Sequence, residues 1–319
     1  MRLVALESYV LTEGDLDWSA VEALVPDIAY YGRTPAAEVA ARIGDAAYVI
    51  VNKCAIDAAV LAACPQLKWV GVLATGTDKI DLAACRAQGV SVAHVPAYST
   101  YSVAQLTFAL LLTLCQCPAR HDVAVQAGHW QVGVPAQYGI LPQVELCGKT
   151  FGIWGYGDIG KQVARIAAAF GMRVLVCTRT VRPEYATDGV EFVDFDTLLA
   201  QSDVLSLHCP ATPETAGMIG EAAIAKMKAG SILLNTARGA LVDEAAVAAA
   251  CKNGKLRFYA ADVQCTEPAV PECPLLGVEN ILLTPHIGWA TAESLVKLMA
   301  ITTQNLRTFL DGCGENVLT

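Results

Sequence analysis

The chain has 319 residues, 54% hydrophobic and 17% charged, a balance that excludes intrinsic disorder. Its formal net charge of −9 excludes the electrostatic footprint that holds a nucleic-acid backbone or an anionic membrane, so any anion it binds has to be met by a few placed cations. Chains beyond about 250–300 residues usually divide, and two domains are expected.

The N-terminus, MRLVALESYV, moves straight into a strand pattern with acidic Glu7 and lacks the apolar run of a signal peptide, which points to the cytoplasm. RLVALE, AAYVIVN, KWVGVLAT and VSVAHVP are continuous apolar runs separated by helical segments, a rhythm that predicts about five parallel strands in the first domain. In TPAAEVAARI, Thr34 is placed to cap a helix and Pro35 to open it. A long helix is predicted from near Thr100. Its apolar stretch, Val103 to Cys115, is shorter than the roughly 20 residues that span a bilayer and reads as a core helix.

From Lys149 a second series follows: KTFGIWG, MRVLVCT, DVLSLHCP, GSILLNTARG, LRFYAADV and NILLTPH, six strands in the order of a doubly wound nucleotide fold. The segment from about Thr291 to Leu310 is helical without a strand of its own and is expected to return to the first domain. The boundaries expected are therefore 1–99 for the first domain, 100–290 for a nucleotide domain and 291–319 for the returning segment. Twelve scattered cysteines contain no C-x-x-C and read as small hydrophobes, with no metal site expected.

FGIWG runs into GYGDIG, residues 155–160, which matches G-x-G-x-x-G between a predicted strand and a predicted helix. Gly155 permits the turn, Gly157 lets backbone approach a pyrophosphate, and Gly160 lets helix and strand pack closely. Val163, Ile166, Ala167 and Phe170 form one helical face, and Gly171 stands at a left-handed cap. At the end of the next strand, where an acid normally holds the cofactor ribose, stands Thr178, followed by Arg179 and Arg182. A guanidinium beside a small hydroxyl suits a 2′-phosphate, so NADP(H) is favoured over NAD(H); the alternative is that Arg179 is a solvated loop residue.

Three motifs close the later strands: NTARG with Arg238, ADVQCTEP with Asp262 and Glu267, and TPHIGWAT with His286. Together with PAYSTYSVAQLTFALLL and ELCGKTFGIWGYGDIG, they make the chain resemble the D-isomer-specific 2-hydroxyacid dehydrogenases over essentially its whole length. VNKC, GVLATGTDKID and PHIGWAT are most similar to the glycerate dehydrogenase, or hydroxypyruvate reductase, branch.

The resemblance implies an α/β fold of two doubly wound parallel-sheet domains, a Rossmann-type nucleotide domain inserted into a flavodoxin-like substrate domain. It implies reversible reduction of a small 2-keto acid, hydroxypyruvate or glyoxylate, to the D-2-hydroxyacid, and a homodimer paired through the nucleotide domain. Reducing a 2-keto acid needs a hydride, a proton and a carboxylate anchor. Arg238 fits the anchor, His286 the acid-base residue, and Glu267 its partner, since a carboxylate beside an imidazole favours the charged ring.

The resemblance further implies that the cofactor is lined by residues 155–160, including Tyr156, Asp158 and Ile159, and by Thr178, Arg179, His208, Cys209, Pro210, Thr215, Thr236 and Ala237. Asp262 would accept a hydrogen bond from the nicotinamide carboxamide. The substrate would meet Asn52, Lys53 and the backbone of Ala74, Thr75 and Gly76, besides Arg238 and His286. Leu106 and His129 depart from residues common among relatives. A dehydrogenase for a bulkier 2-keto acid, and a corepressor-like nucleotide sensor on the same fold, are the alternatives.

Overall fold

The computed structural model describes residues 1–133, 143–183, 185 and 189–319. The chain forms two compact units, Met1–Ser99 with Ala290–Thr319, and Thr100–Trp289.

The first unit is built on a five-stranded parallel sheet, ordered β2-β1-β3-β4-β5, from β1 (Leu3–Ala5), β2 (Ile28–Tyr30), β3 (Tyr48–Val51), β4 (Trp69–Val72) and β5 (Ser91–Ala93). This is the flavodoxin-like order. β3 and β4 are buried at every position, as central parallel strands must be. The crossovers α3 (Ala58–Ala63) and α4 (Leu82–Gln88) start on Asp57 and Asp81, whose carboxylates accept from the amides of Val60 and Ala84; Gly89, at φ +73°, closes α4. The last helix, here α11 (Ala292–Leu310), is capped by Thr291 and sets Phe309 against Tyr48 and Trp69, with ring centroids 5.9 and 6.2 Å apart.

Two local expectations in this unit need correction. Thr34 does not cap a helix: its hydroxyl donates to the carbonyl of Leu6 at 2.6 Å and accepts from Arg42, because the end of β1 needs a donor there. Pro35 precedes a single 3-10 turn that leads into α2 (Val39–Ile43), the helix that follows α1 (Ser19–Glu22) in the chain. β2, absent from the named apolar runs, is a half-exposed edge strand of three residues.

The second unit opens with α5 (Thr100–Gln116) and α6 (Pro118–Gln126). Its sheet contains β6 (Thr150–Trp154), β7 (Arg173–Cys177), β8 (Glu191–Phe192), β9 (Val204–Leu207), β10 (Ser231–Asn235), β11 (Leu256–Ala261) and β12 (Ile281–Leu283). All seven run parallel, in the order β12-β11-β10-β9-β6-β7-β8. The six predicted strands are present, and the two-residue edge strand β8 is the addition. Between β6 and β9 the winding reverses, which is where such folds bind their ligand.

Alternation sends Leu205, Leu207 and Leu233 into one core and Phe151, Ile153, Ile232 and Leu234 into the other, so both faces need helical cover. α7 (Asp158–Ala169), α8 (Phe195–Gln201), α9 (Glu221–Lys226) and α10 (Glu244–Lys252) provide part of that cover. α5 buries Val103, Ala104, Phe108, Leu111 and Leu114, and Phe108 stacks on Phe151 at 5.7 Å. Among the described residues no single helix is long and apolar enough to cross a membrane; α5 and α6 reach that length only together, across a 50° bend.

Candidate active site

The site is assembled from loops that leave the carboxyl ends of the strands. After β6, Gly155 takes φ +101°, and a Cβ there would lie 2.5 Å from the amide nitrogen of Cys209 and 2.6 Å from the carbonyl of His208. A Cβ on Gly160 would run into the carbonyl oxygen of Gly155. Packing alone therefore demands these two glycines. At Gly157, which stands at the N-cap of α7, a Cβ would meet nothing within 4 Å. Among the described residues no side chain caps α7, so its first amides are a fit for a dinucleotide pyrophosphate.

The other members of the motif divide. Asp158 is exposed in the first turn, and Ile159 packs partly into the core. The Tyr156 ring is buried against Tyr185 and Phe192, with centroids 5.1 and 5.5 Å away, so this residue offers a cofactor its backbone and not its side chain.

Beyond β7, Thr178 is half-buried and Arg179 exposed. A hydrogen bond with Thr212 is the main cause holding the Glu214 carboxyl below its ordinary range, and the Arg179 guanidinium adds to it, so the two loops share one electrostatic neighbourhood. Beyond β9, Ser206 Oγ and His208 Nε2 are hydrogen-bonded at 2.8 Å, and burial pushes the imidazole down to about 3, leaving a neutral ring. Burial likewise pushes the Cys209 thiol up to about 12, which makes it a packing group and not a nucleophile. Thr215 uses its hydroxyl within the loop, donating to the carbonyl of Pro210 and accepting from the amide of Thr212, both at 2.8 Å.

The three proposed catalytic residues follow β10, β11 and β12. Asn235, the last residue of β10, donates from Nδ2 to the carbonyl of Arg238 at 2.8 Å and accepts from the amide of Ala237 at 3.1 Å. The Thr236 hydroxyl is hydrogen-bonded to Thr107 of α5 at 3.0 Å. A Cβ on Gly239 would overlap the backbone of Gln264 and Cys265, so the turn carrying Arg238 lies directly on the loop carrying Glu267. Glu244, at the start of α10, steadies that loop by accepting from the Cys265 amide at 2.8 Å.

Glu267 Oε1 accepts from the amide of Gln264, and Oε2 is 2.6 Å from Nδ1 of His286. With Nδ1 committed as donor, Nε2 is the nitrogen available to a ligand. Both side chains keep about a third of their surface exposed, 32% for His286 and 29% for Glu267. His286 itself has φ +55°, a conformation that a non-glycine residue holds only when its surroundings impose it.

Asp262, 2% exposed, imposes it. Its carboxylate accepts from the Thr284 hydroxyl at 2.5 Å and from the amides of Ile287 and Gly288 at 2.9 and 2.7 Å. The carboxylate expected to receive the nicotinamide carboxamide is thus largely filled by the loop around His286. Three donors already occupy it, of the four or so a carboxylate accepts.

The first unit uses the same device. Glu7, two residues past β1, is buried and accepts at one oxygen from the amides of Asn52, Lys53 and Cys54, at 2.7, 2.7 and 3.1 Å. Asn52 Nδ2 donates to the carbonyl of Leu73, which ties this loop to the one carrying Ala74, Thr75 and Gly76. Thr75 donates its hydroxyl to the carbonyl of Val95 at 2.8 Å, and its own carbonyl is hydrogen-bonded to Nδ1 of His94, also at 2.8 Å. The sequence signal for this role of Glu7 is an acid directly after LVAL, where a strand end meets neighbouring loops.

A glycine-rich turn at the switch point of a seven-stranded parallel sheet, a hydrogen-bonded His–Glu pair on later strand ends, and a second α/β unit define a two-domain nicotinamide-dependent dehydrogenase. The chain belongs to the D-isomer specific 2-hydroxyacid dehydrogenase family, whose NAD-binding domain model matches residues 108–288. It is 42% identical to a hydroxypyruvate reductase of Blautia hydrogenotrophica over all of this chain and 99% of that one. It is 38% identical to a glycerate dehydrogenase of Methylorubrum extorquens over 88% of each. Among solved structures it superposes on the TT0316 protein of Thermus thermophilus with a TM-score of 0.89, at 33% identity and full coverage of both chains.

Proposed function

We propose that this D-2-hydroxyacid dehydrogenase reversibly reduces hydroxypyruvate or glyoxylate to the D-2-hydroxyacid. The observation that carries the catalytic part is the 2.6 Å bond between His286 Nδ1 and Glu267, which orients the ring and leaves Nε2 for a reacting oxygen. In reduction, Nε2 gives its proton to the keto oxygen; in the reverse direction the neutral ring takes the hydroxyl proton. Arg238 holds the substrate carboxylate with a forked contact, and the backbone of Ala74–Gly76 with Asn52 and Lys53 provides the substrate contacts of the first unit. The bound nicotinamide supplies or accepts the hydride.

NADP(H) is the preferred cofactor in this reading. It rests on Thr178 and exposed Arg179 at the end of β7, in place of an acid. A homodimer through the nucleotide domain is supported by α6, which buries none of its residues, and by exposed Val123, Val125, Trp130 and Val132. Twelve free cysteines suit a reducing cytoplasm.

Initial rates with hydroxypyruvate, glyoxylate, pyruvate and a branched 2-keto acid, each with NADH and NADPH, test the assignment. The highest kcat/KM is expected for hydroxypyruvate or glyoxylate with NADPH. Preference for the branched acid overturns the substrate reading, and exclusive use of NADH overturns the cofactor reading.

A further inference from the structure

We infer that Asn235 is the positioning residue of Arg238, an inference that rests on the reading of Arg238 as the carboxylate anchor. Asn235 closes β10 and has no exposed surface. Burying an amide side chain is costly unless its hydrogen bonds are made, and here both ends are used within the next three residues. Oδ1 accepts from the amide of Ala237, and Nδ2 donates to the carbonyl of Arg238. The side chain therefore ties the Thr236–Ala237 peptide to the Arg238–Gly239 peptide, bracketing the short segment from which the guanidinium departs.

The surroundings hold Asn235 in turn. It pairs with Ala261 in the sheet, its backbone carbonyl accepts from the amide of Asp262 at 3.0 Å, and Asp262 anchors the loop of His286. The buried hydroxyl of Tyr259 approaches the same amide without completing a well-formed hydrogen bond. The last residue of β10 and the first residue past β11 thus divide the work, Asn235 for the anchor and Asp262 for the acid-base residue. No other side chain of similar size does what Asn235 does: aspartate lacks the donor and would set a negative charge against the Arg238 carbonyl, and serine is too short to span both groups.

A double-mutant cycle of N235S and R238A, measured on the full-length enzyme with hydroxypyruvate and NADPH, tests the inference. With Arg238 present, N235S should lower kcat/KM about 10- to 100-fold, as a misplaced anchor does, mainly through KM for the keto acid. Cofactor binding, followed by NADPH fluorescence, should stay within about threefold. With Arg238 removed, N235S should cost no more than about threefold further, because an effect carried through Arg238 disappears with it. Equal losses in both backgrounds, or no loss in either, overturn the inference while leaving the anchor reading intact. An R238A enzyme with unchanged kcat/KM overturns the anchor reading and the inference with it. If N235S melts below the assay temperature, the similarly sized N235D, which keeps the acceptor and loses the donor, passes through the same cycle with the same outcomes.

Discussion

At the carboxyl edge of the seven-stranded sheet, the chain continues from β10 and β11 into buried polar anchors, Asn235 and Asp262, whereas it leaves β7 through half-buried Thr178 and exposed Arg179. The first kind of strand end holds candidate catalytic groups to fixed positions, even at a backbone angle as unusual as that of His286. The second kind presents a charge to solvent without holding it. Groups that must meet a reacting atom are placed by buried hydrogen bonds, while the group proposed to choose between cofactors needs only charge and reach. Glu7 repeats the first arrangement in the other unit, where one buried carboxylate gathers three amides of a loop assigned to the substrate.

The contrast breaks most visibly at Asp262. D262A leaves a hydroxyl and two amides without their acceptor, each costing about 1–3 kcal/mol if it stays buried, and frees the loop of His286. A lower Tm and a kcat reduced about 100-fold are expected. A variant that keeps its kcat would show that His286 does not depend on this anchor. At β7 the expected change is smaller and selective. R179D should lower kcat/KM for NADPH about 10- to 100-fold, the value of one charge-assisted contact, while the value for NADH and the Tm hold steady. Equal losses with both cofactors would remove Arg179 from the choice.

The smallest expected effect concerns acid stability. Burial lowers the His208 imidazole from an ordinary value near 6.5 to about 3, so between these values the unfolded chain binds a proton that the folded chain does not. This contribution to stability is complete above pH 6.5 and is lost as the pH falls toward 3. H208Q should therefore lose less Tm than the unsubstituted enzyme between pH 7 and pH 5. The same loss in both proteins would place the acid sensitivity elsewhere.

Sequence periodicity was sufficient for the long features: the apolar strands of both sheets, the helix that starts at Thr100, and the glycine turn with its cap at Gly171. Each is a local pattern, repeated over several residues or concentrated in one motif. β2 and β8 escaped because edge strands of three and two residues bury too little to write a pattern. Glu7, Asn235 and the partners of Asp262 escaped for another reason. Glu7 meets Asn52 across 45 positions, and Asp262 meets Gly288 across 26, distances over which hydrogen-bonding residues leave no period. Asn235 lay inside a motif valued for its arginine. Arg238, Glu267 and His286 could be named from motif order, but the 2.6 Å contact between the last two needed the folded loops.

The central claim is that His286, oriented by Glu267, supplies the proton for keto-acid reduction, and the pH dependence of kcat/KM for hydroxypyruvate in the unsubstituted enzyme, H286Q and E267Q tests it most directly. The account predicts a loss of about 100- to 10,000-fold for H286Q, with the rate decline that the histidine imposes at high pH gone from its profile. In E267Q a smaller loss of about 10- to 100-fold is expected, because the ring keeps Nε2 but loses the carboxylate that orients it. A profile for H286Q that retains both the rate and the pH dependence of the unsubstituted enzyme would contradict the account.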